Sequence, residues 1–313
     1  MTTTAVLIEN TLSLLDWVLT PAVLSTLLAV VISISFFAVY AVLLTSRGRS
    51  FKGKVVVITG CSSGIGEELA YKYAKHGSKL VLAARRLDKL QSIVDQCNAL
   101  GAVATAVATD VTKEEECSHL IEEAVRLYNG LDLLILNAGQ GCLMKVSDMT
   151  DTKPLRAAME VNFWGCVYPT IKALPHLRKA GGAICVISSL ASILPTPRRA
   201  LYGATKSAVN IFFGSLRSEE PTLHVTIVCP GFVMTEFHQN SFAAAGGPPK
   251  RKMGSFMTPK ECASQIVRAV AEGKREHIMS SSGRLGNRLR PFFPGAVDRF
   301  SASHAEKSIL KEE

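Results

Sequence analysis

Charged side chains are scarce in this 313-residue chain, and the usual spacings of metal ligands are missing. Only 19% of the residues are charged, 48% are hydrophobic, and the mean hydropathy is +0.23. This apolar content excludes a disordered or collagen-like chain. The eight cysteines are scattered without a CxxC pair, several of them in apolar runs, and the seven histidines show no HxxxH spacing. We therefore predict free, buried cysteines, with neither a disulfide framework nor a metal site.

The net charge of +9 is unevenly distributed along the chain. Residues 1–44 contain no Lys or Arg, and residues 55–245 have a net charge of only +1. The excess of bases lies in residues 45–54 and 246–313. A nucleic-acid-binding protein would carry basic stripes on its folded body. The nearly neutral middle of the chain therefore predicts that nucleic acid is not a partner.

A long uncharged run lies near the start of the chain. No charged side chain occurs between Asp16 and Arg47, and residues 22–44 are rich in Val, Leu, Ile and Phe. A bilayer core needs about 20 helical residues, whereas a cleaved signal peptide has a basic start and a shorter apolar part. We predict a retained transmembrane helix at 22–44, which makes membrane lipid a partner; a buried globular helix is the alternative. The four bases within residues 47–54 place the rest of the chain in the cytosol by the positive-inside rule.

After this basic stretch, short apolar runs alternate with longer amphipathic ones. KVVVIT at 54–59 and KLVLAA at 79–84 predict buried strands, and the segment between them predicts a helix. Such alternation is typical of an α/β fold, a Rossmann-like doubly wound parallel sheet with helices on both faces. The predicted organisation is a short N-terminal segment at 1–21, the transmembrane helix at 22–44, a basic linker at 45–53, one catalytic domain at 54–280 and a basic tail at 281–313.

Three glycines, Gly60, Gly64 and Gly66, stand between the first predicted strand and the first helix of the domain. Glycines in this position permit a tight turn and let the backbone approach a pyrophosphate at the positive N-terminus of the helix. No Lys follows the last glycine, so the loop is not a phosphate loop of the NTPase type. The loop predicts a dinucleotide site; a glycine turn with a purely structural role is the alternative.

The end of the second predicted strand bears on which dinucleotide is bound. NAD enzymes commonly carry an acid there, but this chain has Arg85 and Arg86. A guanidinium pairs well with a phosphate through two parallel hydrogen bonds. We therefore predict NADP(H), with NAD as the alternative. Arg85 is the better candidate for the phosphate, since Arg86 could be only a solvated charge at the start of a helix.

Further motifs follow in a fixed order. Asn137-Ala138-Gly139 ends the fourth strand, Asn162 lies in a helical region, Ser189 follows the fifth strand, Tyr202 and Lys206 form YxxxK, and Pro230-Gly231 follows the sixth strand. With these motifs, residues 53–280 resemble the short-chain dehydrogenase/reductase family in its standard TGxxxGxG branch. Two positions depart from the family pattern. Leu136 replaces the first Asn of the common NNAG, and Ser63 stands where some NADP-using members carry a base.

The resemblance implies a catalytic tetrad of Tyr202, Lys206, Ser189 and Asn162. A phenol is a poor base near neutral pH because its ordinary pKa is about 10. Lys206, four residues further along a helix, can place a positive charge beside the phenolate. Ser189 would polarise the substrate carbonyl, and Asn162 would hold a water that connects Lys206 to solvent. The implied cofactor-binding residues are Gly60, Ser62, Ser63, Gly64, Ile65, Gly66, Arg85, Arg86, Asp110, Val111, Asn137, Ala138, Gly139, Tyr202, Lys206, Pro230, Gly231, Val233 and Thr235.

The substrate is only weakly encoded. Segments 190–201 and 232–257 contain Leu, Ile, Phe and Met residues that predict an apolar substrate site, with ordinary loop packing as the alternative. Residues 246–254 predict a mobile basic loop. In residues 284–300, Leu and Phe alternate with Arg, which favours contact with a membrane surface over packing against the domain or a dimer contact. A homodimer is an expectation from the resemblance alone.

These observations lead to one hypothesis with two alternatives. The hypothesis is a single-pass membrane enzyme that uses NADP(H) to transfer hydride to or from a carbonyl or secondary alcohol of a lipid, steroid or retinoid. The resemblance to membrane-bound reductases implies the endoplasmic reticulum, with the catalytic domain in the cytosol. The alternatives are an NAD-dependent alcohol dehydrogenase and a non-catalytic NADP-binding scaffold.

Overall fold

The computed structural model describes residues 20–45, 48–238, 241–243 and 256–307, apart from the side chains of residues 38, 41–45, 238, 242, 243 and 307. The chain divides into two compact units between Gly48 and Arg49. The described part of the first unit is one helix, and the second unit contains the sheet. The predicted mobile loop at 246–254 lies outside the described residues.

Helix α1 extends from Pro21 to Thr45 and coincides with the predicted membrane segment at 22–44. The hydroxyls of Ser25 and Thr26 donate to the Ala22 carbonyl at 2.9 and 2.7 Å, which satisfies both groups within the helix. Phe36 and Phe37 each expose 72% of their surface. In the described part of the chain, no helix combines the length and the apolar character needed to cross a membrane. The transmembrane helix stays a prediction.

Seven parallel strands form the main sheet of the second unit, in the order β3-β2-β1-β4-β6-β7-β9. The strands are parallel because each is joined to the next one along the chain by a crossover that contains a helix. A second, two-stranded pairing joins β5 to β8. The strand bounds are β1 Val55–Thr59, β2 Lys79–Ala84, β3 Val103–Ala108, β4 Leu133–Leu136, β5 Cys142–Leu143, β6 Ala183–Ile187, β7 His224–Cys229, β8 Phe242–Ala243 and β9 Glu276–Ile278.

Helices cover both faces of the main sheet, as its continuous apolar strands require. In β1, Val56 and Ile58 pack into a core with α2, α3 and α8, whereas Val55 and Val57 pack into a core with α4, α6 and α7. The predicted doubly wound parallel sheet is confirmed. The helix bounds in this unit are α2 Gly64–Lys75, α3 Leu87–Ala99, α4 Glu114–Tyr128, α5 Lys153–Met159, α6 Gly165–Ala180, α7 Ala200–Glu219, α8 Pro259–Ala271, α9 Ser281–Leu289 and α10 Pro294–Lys307.

The order of the strands fixes where a ligand can bind. The chain adds β2 and then β3 on one side of β1, and then returns to place β4 and β6 on the other side. The connections after β1 and β4 therefore diverge, which opens a crevice at the carboxyl ends of these strands. The glycine loop follows β1, and the Asn137-Ala138-Gly139 segment follows β4, so both motifs lie at this crevice.

Residues 153–180 are helical, with one interruption. Helix α5 passes into a π-helical turn at Glu160–Trp164 before α6 begins. Single π-helical turns within helices are often found at functional sites. Asn162 lies in this turn and is fully buried.

The C-terminal elements pack against the sheet unit. Thr258 caps α8: its Oγ1 accepts from the Glu261 backbone N–H at 3.2 Å, and the Glu261 carboxylate accepts from the Thr258 N–H at 2.9 Å. Helix α9 lies against Leu190, since a Cβ on Gly283 would come within 2.7 Å of the Leu190 side chain. The described part of the predicted tail at 281–313 is therefore largely helical, and its first helix contacts the segment after β6.

Candidate active site

A cavity of about 990 Å³ opens at the crevice between the ends of β1 and β4. Of the predicted site residues, all line it except Gly66 and Asn162. These two lie behind the wall and hold it in place, as their contacts below demonstrate. The sequence motifs, which are spread over more than 170 residues, are thus brought to one site.

The glycine loop has the backbone that only glycine adopts readily. Gly60 and Gly64 have φ values of +71° and +66°, in the left-handed region. Gly66 has ordinary φ, but a Cβ there would lie 2.3 Å from the Gly60 carbonyl oxygen and 2.5 Å from Asn137 Nδ2. Gly66 therefore permits the first turn of α2 to pack directly on the loop, with the helix N-terminus at the cavity.

Two polar side chains join the glycine loop to the end of β4. The buried Thr59 Oγ1 accepts from the backbone N–H groups of Asn137 and Ala138 at 3.1 and 3.2 Å. In return, Asn137 Nδ2 donates to the carbonyls of Thr59 and Gly60, both at 3.0 Å. Asn137 thus fixes the loop through its amide. Its predicted contact with a cofactor stays a prediction.

Arg86 is bound to the glycine loop, whereas Arg85 is exposed. Arg86 Nη2 donates to Ser62 Oγ at 2.8 Å and to Ser63 Oγ at 3.2 Å. Its Nη1 lies 3.5 Å from a carboxylate oxygen of Glu236. We predicted both arginines as cofactor-binding residues, with Arg85 as the better candidate for the phosphate; the contacts of Arg86 with the loop favour Arg86 for that role. The reason is that Arg86 occupies the N-cap of α3, from where its side chain reaches back across the loop.

The remaining predicted cofactor residues form the two ends of the cavity. Asp110 Oδ1 accepts from the Thr112 N–H at 3.0 Å and from its hydroxyl at 2.9 Å, which fixes the turn after β3. On the other side, the Pro230 carbonyl accepts from the Leu190 N–H at 2.8 Å, and Val233 forms an isolated parallel bridge with Met257. The residues from the two ends that line the cavity are Asp110, Val111, Pro230, Gly231, Val233 and Thr235.

Tyr202 and Lys206 lie one turn apart on α7, and both are buried. Lys206 Nζ donates to the Ile187 carbonyl at the end of β6, at 2.9 Å. The Tyr202 ring packs edge-on against Phe237, with 5.7 Å between ring centroids. The close approach of α7 to the turn after β6 depends on Gly203, where a Cβ would lie 2.9 Å from the Ala191 carbonyl oxygen.

Asn162 holds the loop after β4 against α7. Its Oδ1 accepts from the Gln140 N–H at 2.8 Å, and its Nδ2 donates to the Gln140 carbonyl at 2.9 Å and to Thr205 Oγ1 at 3.1 Å. A Cβ on Gly139 would meet both Asn162 Oδ1, at 3.2 Å, and Lys206 Nζ, at 3.6 Å. Asn162 and Lys206 therefore converge on Gly139. The water predicted at Asn162 stays a prediction.

The two serines after β6 have different surroundings. Ser188 Oγ lies 3.2 Å from Ser192 Oγ and 3.4 Å from the Lys206 carbonyl oxygen, and its single O–H can donate to either, so it joins this turn to α7. Ser189 Oγ accepts from the Ala191 N–H at 3.2 Å, which leaves its own O–H free to donate elsewhere. This difference agrees with the interpretation of Ser189 as the serine that polarises a substrate oxygen.

The residues present fit a dinucleotide. The glycine loop and the N-terminus of α2 provide backbone N–H groups for phosphates, and a cation lies against the loop at Arg86. A phenol, a lysine and a serine hydroxyl stand at the other end of the same cavity. This arrangement can hold an anionic dinucleotide and transfer a proton to or from an oxygen beside it.

Sequence reasoning missed several residues of the site. Thr59 could have been recognised from its place in the TGxxxGxG motif. Arg199, which lines the cavity beside Tyr202, and Ser301 and His304, which line it from α10, have no signal in the local sequence. Of the apolar residues expected at the substrate site, Leu190, Leu194, Phe237, Phe256 and Met257 line the cavity. Ile193 packs instead against the sheet core.

Comparisons with known proteins agree with this geometry. The family described as short chain dehydrogenase matches residues 54–246. The chain is 38% identical over 268 residues to "Dehydrogenase/reductase SDR family protein 7-like" of Dictyostelium discoideum, covering 84% of this chain and 85% of that protein. It is 40% identical over 274 residues to an 11-beta-hydroxysteroid dehydrogenase of Pinus massoniana, covering 84% and 77%.

Two solved structures have similar folds. An alcohol dehydrogenase from Thermococcus sibiricus, complexed with 5-hydroxy-NADP, is 27% identical with a TM-score of 0.65, over 73% of this chain and 95% of the other. A short chain dehydrogenase/reductase from Burkholderia phymatum, in complex with NAD, is 24% identical with a TM-score of 0.71, over 85% and 99%, and at this identity supports the fold alone. By its sequence match and its curated relatives, the chain belongs to the short-chain dehydrogenase/reductase family and is an oxidoreductase of that family.

Proposed function

We propose that the protein is an NADP(H)-dependent oxidoreductase that interconverts a carbonyl and a secondary alcohol on an apolar substrate. The observation that carries this proposal is the convergence of Tyr202, Lys206 and Ser189 on a cavity that also contains the glycine loop. A lipid, steroid or retinoid ketone is the expected substrate class. The curated relatives named as 11-beta-hydroxysteroid dehydrogenases support the steroid within that class.

The dinucleotide, when bound, supplies or accepts the hydride at the carbonyl carbon. In the direction of reduction, Tyr202 gives its phenolic proton to the substrate oxygen, so that the carbonyl gains one hydride and one proton. Ser189 donates a hydrogen bond to the same oxygen and stabilises the charge that develops there. Lys206, anchored on the Ile187 carbonyl, places a positive charge near the phenolate that remains.

NADP(H) is preferred over NAD(H) in this proposal because of the charge beside the glycine loop. Arg86 and the hydroxyls of Ser62 and Ser63 form a donor cluster suited to a 2′-phosphate. The two residues directly after β2 are arginines, and an acid is absent from this position, where a carboxylate would favour the free ribose hydroxyls of NAD. Because cytosolic NADPH exceeds NADP⁺, we expect reduction to be the physiological direction, as the family resemblance suggests.

The test is a substrate screen with purified full-length protein. NADPH and NADH are offered separately with a panel of steroid, retinoid and fatty ketones, and cofactor oxidation is followed at 340 nm. Tyr202→Phe should remove turnover without lowering the melting temperature by more than a few degrees. Tyr73→Phe is the matched control, because Tyr73 is also buried and its hydroxyl has no hydrogen-bond partner among the described residues. Full turnover in Tyr202→Phe would contradict the proposed mechanism, and tight NADPH binding without turnover on any substrate would favour a non-catalytic scaffold.

We also propose that residues 22–44 anchor the enzyme in the endoplasmic reticulum membrane with the catalytic unit in the cytosol. The support is the absence of charge between Asp16 and Arg47 and the bases that follow. Exposed Phe292, Phe293 and Phe300 beside arginines in the C-terminal segment support an additional contact with the membrane surface. Protease added to intact microsomes should digest the catalytic unit. Protection of that unit would contradict the proposed orientation.

A further inference from the structure

Arg199 is a buried cation in the wall of the cavity. Its residue is only 8% exposed, and its guanidinium carbon lies 5.5 Å from the ring centroids of both Tyr202 and Phe232. Contacts between a cation and aromatic faces compensate only part of the hydration energy that a guanidinium loses on burial. Burial lowers the pKa of Arg199 from its ordinary value, while Tyr202 and Cys142 act in the opposite direction. Arg199 is therefore held in an environment that does not solvate its charge.

Among the described residues, no carboxylate pairs with Arg199, and its buried Nη2 has no hydrogen-bond partner. Only two acids are found among the described residues that line the cavity, and both are engaged: Asp110 with Thr112, and Glu236 with Arg86. The sequence between Phe237 and Phe256 contains no Asp or Glu at all. A buried charge without a partner is strongly destabilising. The buried charge of Arg199 is thus paired only when an anionic group enters the cavity.

The backbone around Arg199 is constrained in a way that maintains this position. Arg198 has φ of +62°, in the left-handed region that residues other than glycine rarely adopt. Its carbonyl accepts from the Met144 N–H at 3.0 Å, and the Arg199 carbonyl accepts from the Gly203 N–H at 2.7 Å in the first turn of α7. Backbone strain of this kind is found where the surrounding structure enforces it, often at ligand sites. The turn before α7 therefore holds Arg199 beside Tyr202.

We propose that Arg199 binds a carboxylate of the substrate, within a few bonds of the carbonyl that reacts at Tyr202. The inference rests on the proposed function and narrows its substrate class to keto acids with an apolar body. The apolar body would lie along Leu190, Leu194 and Met257. A carboxylate fits better than a phosphate monoester, because its single charge balances one guanidinium and its two oxygens match the planar donor pair.

The test compares an acid with its neutral ester. Purified protein is assayed with NADPH and 2-oxododecanoate or methyl 2-oxododecanoate, which share the same apolar chain and an activated carbonyl. In Arg199→Met, the ratio of kcat/KM for the acid over the ester should fall by roughly 10- to 100-fold, the size expected for one hydrogen-bonded charge pair. In Arg199→Lys the same ratio should fall less, since lysine keeps the positive charge but lacks the planar pair of donors. Arg198→Met, an exposed neighbour with the same change of charge, should keep the ratio of the wild-type protein.

A binding measurement separates this inference from the proposed reaction. By titration calorimetry, dodecanoate should bind the wild-type protein at least tenfold more tightly than Arg199→Met, and dodecanol should not distinguish the two. If the protein reduces the ester but the ratio is unaffected by Arg199→Met, the inference is wrong and the proposed function stands. If Arg199→Met lowers kcat/KM equally for the acid and the ester, Arg199 acts on Tyr202 rather than on the substrate carboxylate, and the inference is also wrong. If neither compound is reduced but dodecanoate binding depends on Arg199, the anion site stands, and the proposed reaction is decided by the substrate screen described above.

Discussion

Replacing Arg86 with alanine tests how this chain would recognise the 2′-phosphate that distinguishes NADP(H) from NAD(H). The Arg86 guanidinium lies against the glycine loop, where Nε and Nη2 donate to Ser62 Oγ at 3.1 and 2.8 Å. Nη2 also donates to Ser63 Oγ at 3.2 Å. The two hydroxyls keep the guanidinium in one orientation before a phosphate arrives. A 2′-phosphate beside them could accept from the guanidinium and from both serines.

The size of the effect follows from the strength of one such contact. A hydrogen bond to a charged group contributes about 1.5–3 kcal/mol, and about 1.4 kcal/mol corresponds to a tenfold change in Kd. Arg86→Ala should therefore raise the Kd for NADPH by roughly 10- to 100-fold, with little change for NADH. The Arg86 side chain is 41% exposed, so solvent and salt screen the contact, and the lower end of this range is expected at physiological ionic strength.

The assay is a fluorescence titration of NADPH and NADH with wild-type protein and three variants. Arg85→Ala is the matched control, because Arg85 is adjacent, carries the same charge and is exposed. Glu236→Gln gives a change of opposite sign: removing the carboxylate 3.5 Å from Arg86 Nη1 should strengthen NADPH binding. Thermal melting of each variant checks that the fold is kept.

Two results would refute the reasoning. A larger loss of NADPH affinity in Arg85→Ala than in Arg86→Ala would show that Arg85, the exposed arginine, binds the phosphate. If the ratio of the Kd values for NADPH and NADH is unchanged in both arginine variants, neither arginine recognises the 2′-phosphate, and NAD is favoured as the cofactor.

Two further predictions concern packing. Gly66→Ala should abolish NADPH binding and lower the free energy of unfolding by about 1–3 kcal/mol or more, since the new Cβ would lie 2.3 Å from the Gly60 carbonyl oxygen. The control is Gly214→Ala, in open space on α7, which should leave NADPH binding unchanged and the stability unchanged or slightly raised. Normal NADPH binding by Gly66→Ala would contradict the packing described. Burial raises the pKa of Cys97 to about 12 and that of Cys229 to about 11, and all eight cysteines are free and buried. Ellman's reagent at pH 8 should therefore label fewer than one thiol in the folded protein and eight after denaturation, whereas two or more fast thiols in the folded protein would be inconsistent with this burial.

Much of the sheet can be predicted from the sequence, because its strands are short continuous apolar runs. KLVLAA was predicted as a strand at 79–84 and is β2 with the same bounds. The interruption at Asn162 was not predictable, because the π-helical turn Glu160–Trp164 is continuous with a helix on each side and contains no glycine or proline.

Some features of the candidate site could likewise be predicted from the sequence, and others could not. The glycines and the YxxxK pair could be found because their chemistry depends on residue type and local spacing. The ranking of Arg85 above Arg86 depended on which side chain turns back over the loop, and that is decided at the N-cap of α3. The contacts of Arg86 favour Arg86, and the titrations above test which of the two arginines binds the phosphate. The burial of Arg199 could not be predicted from the sequence, because an arginine directly before a helix is usually exposed.

The sequence by itself determined the family and the doubly wound sheet, because these depend on local periodicity and on motifs in a fixed order. The same motifs predicted the groups that are proposed to transfer a proton. Only the tertiary structure decided which charges lie at the site. Packing brings Arg199 beside Tyr202 and places His304 of α10 in the wall of the same cavity, although these last two residues are about 100 positions apart. Burial removes the solvent that would otherwise neutralise a charged side chain, and burial depends on contacts between distant parts of the chain, which no local pattern records.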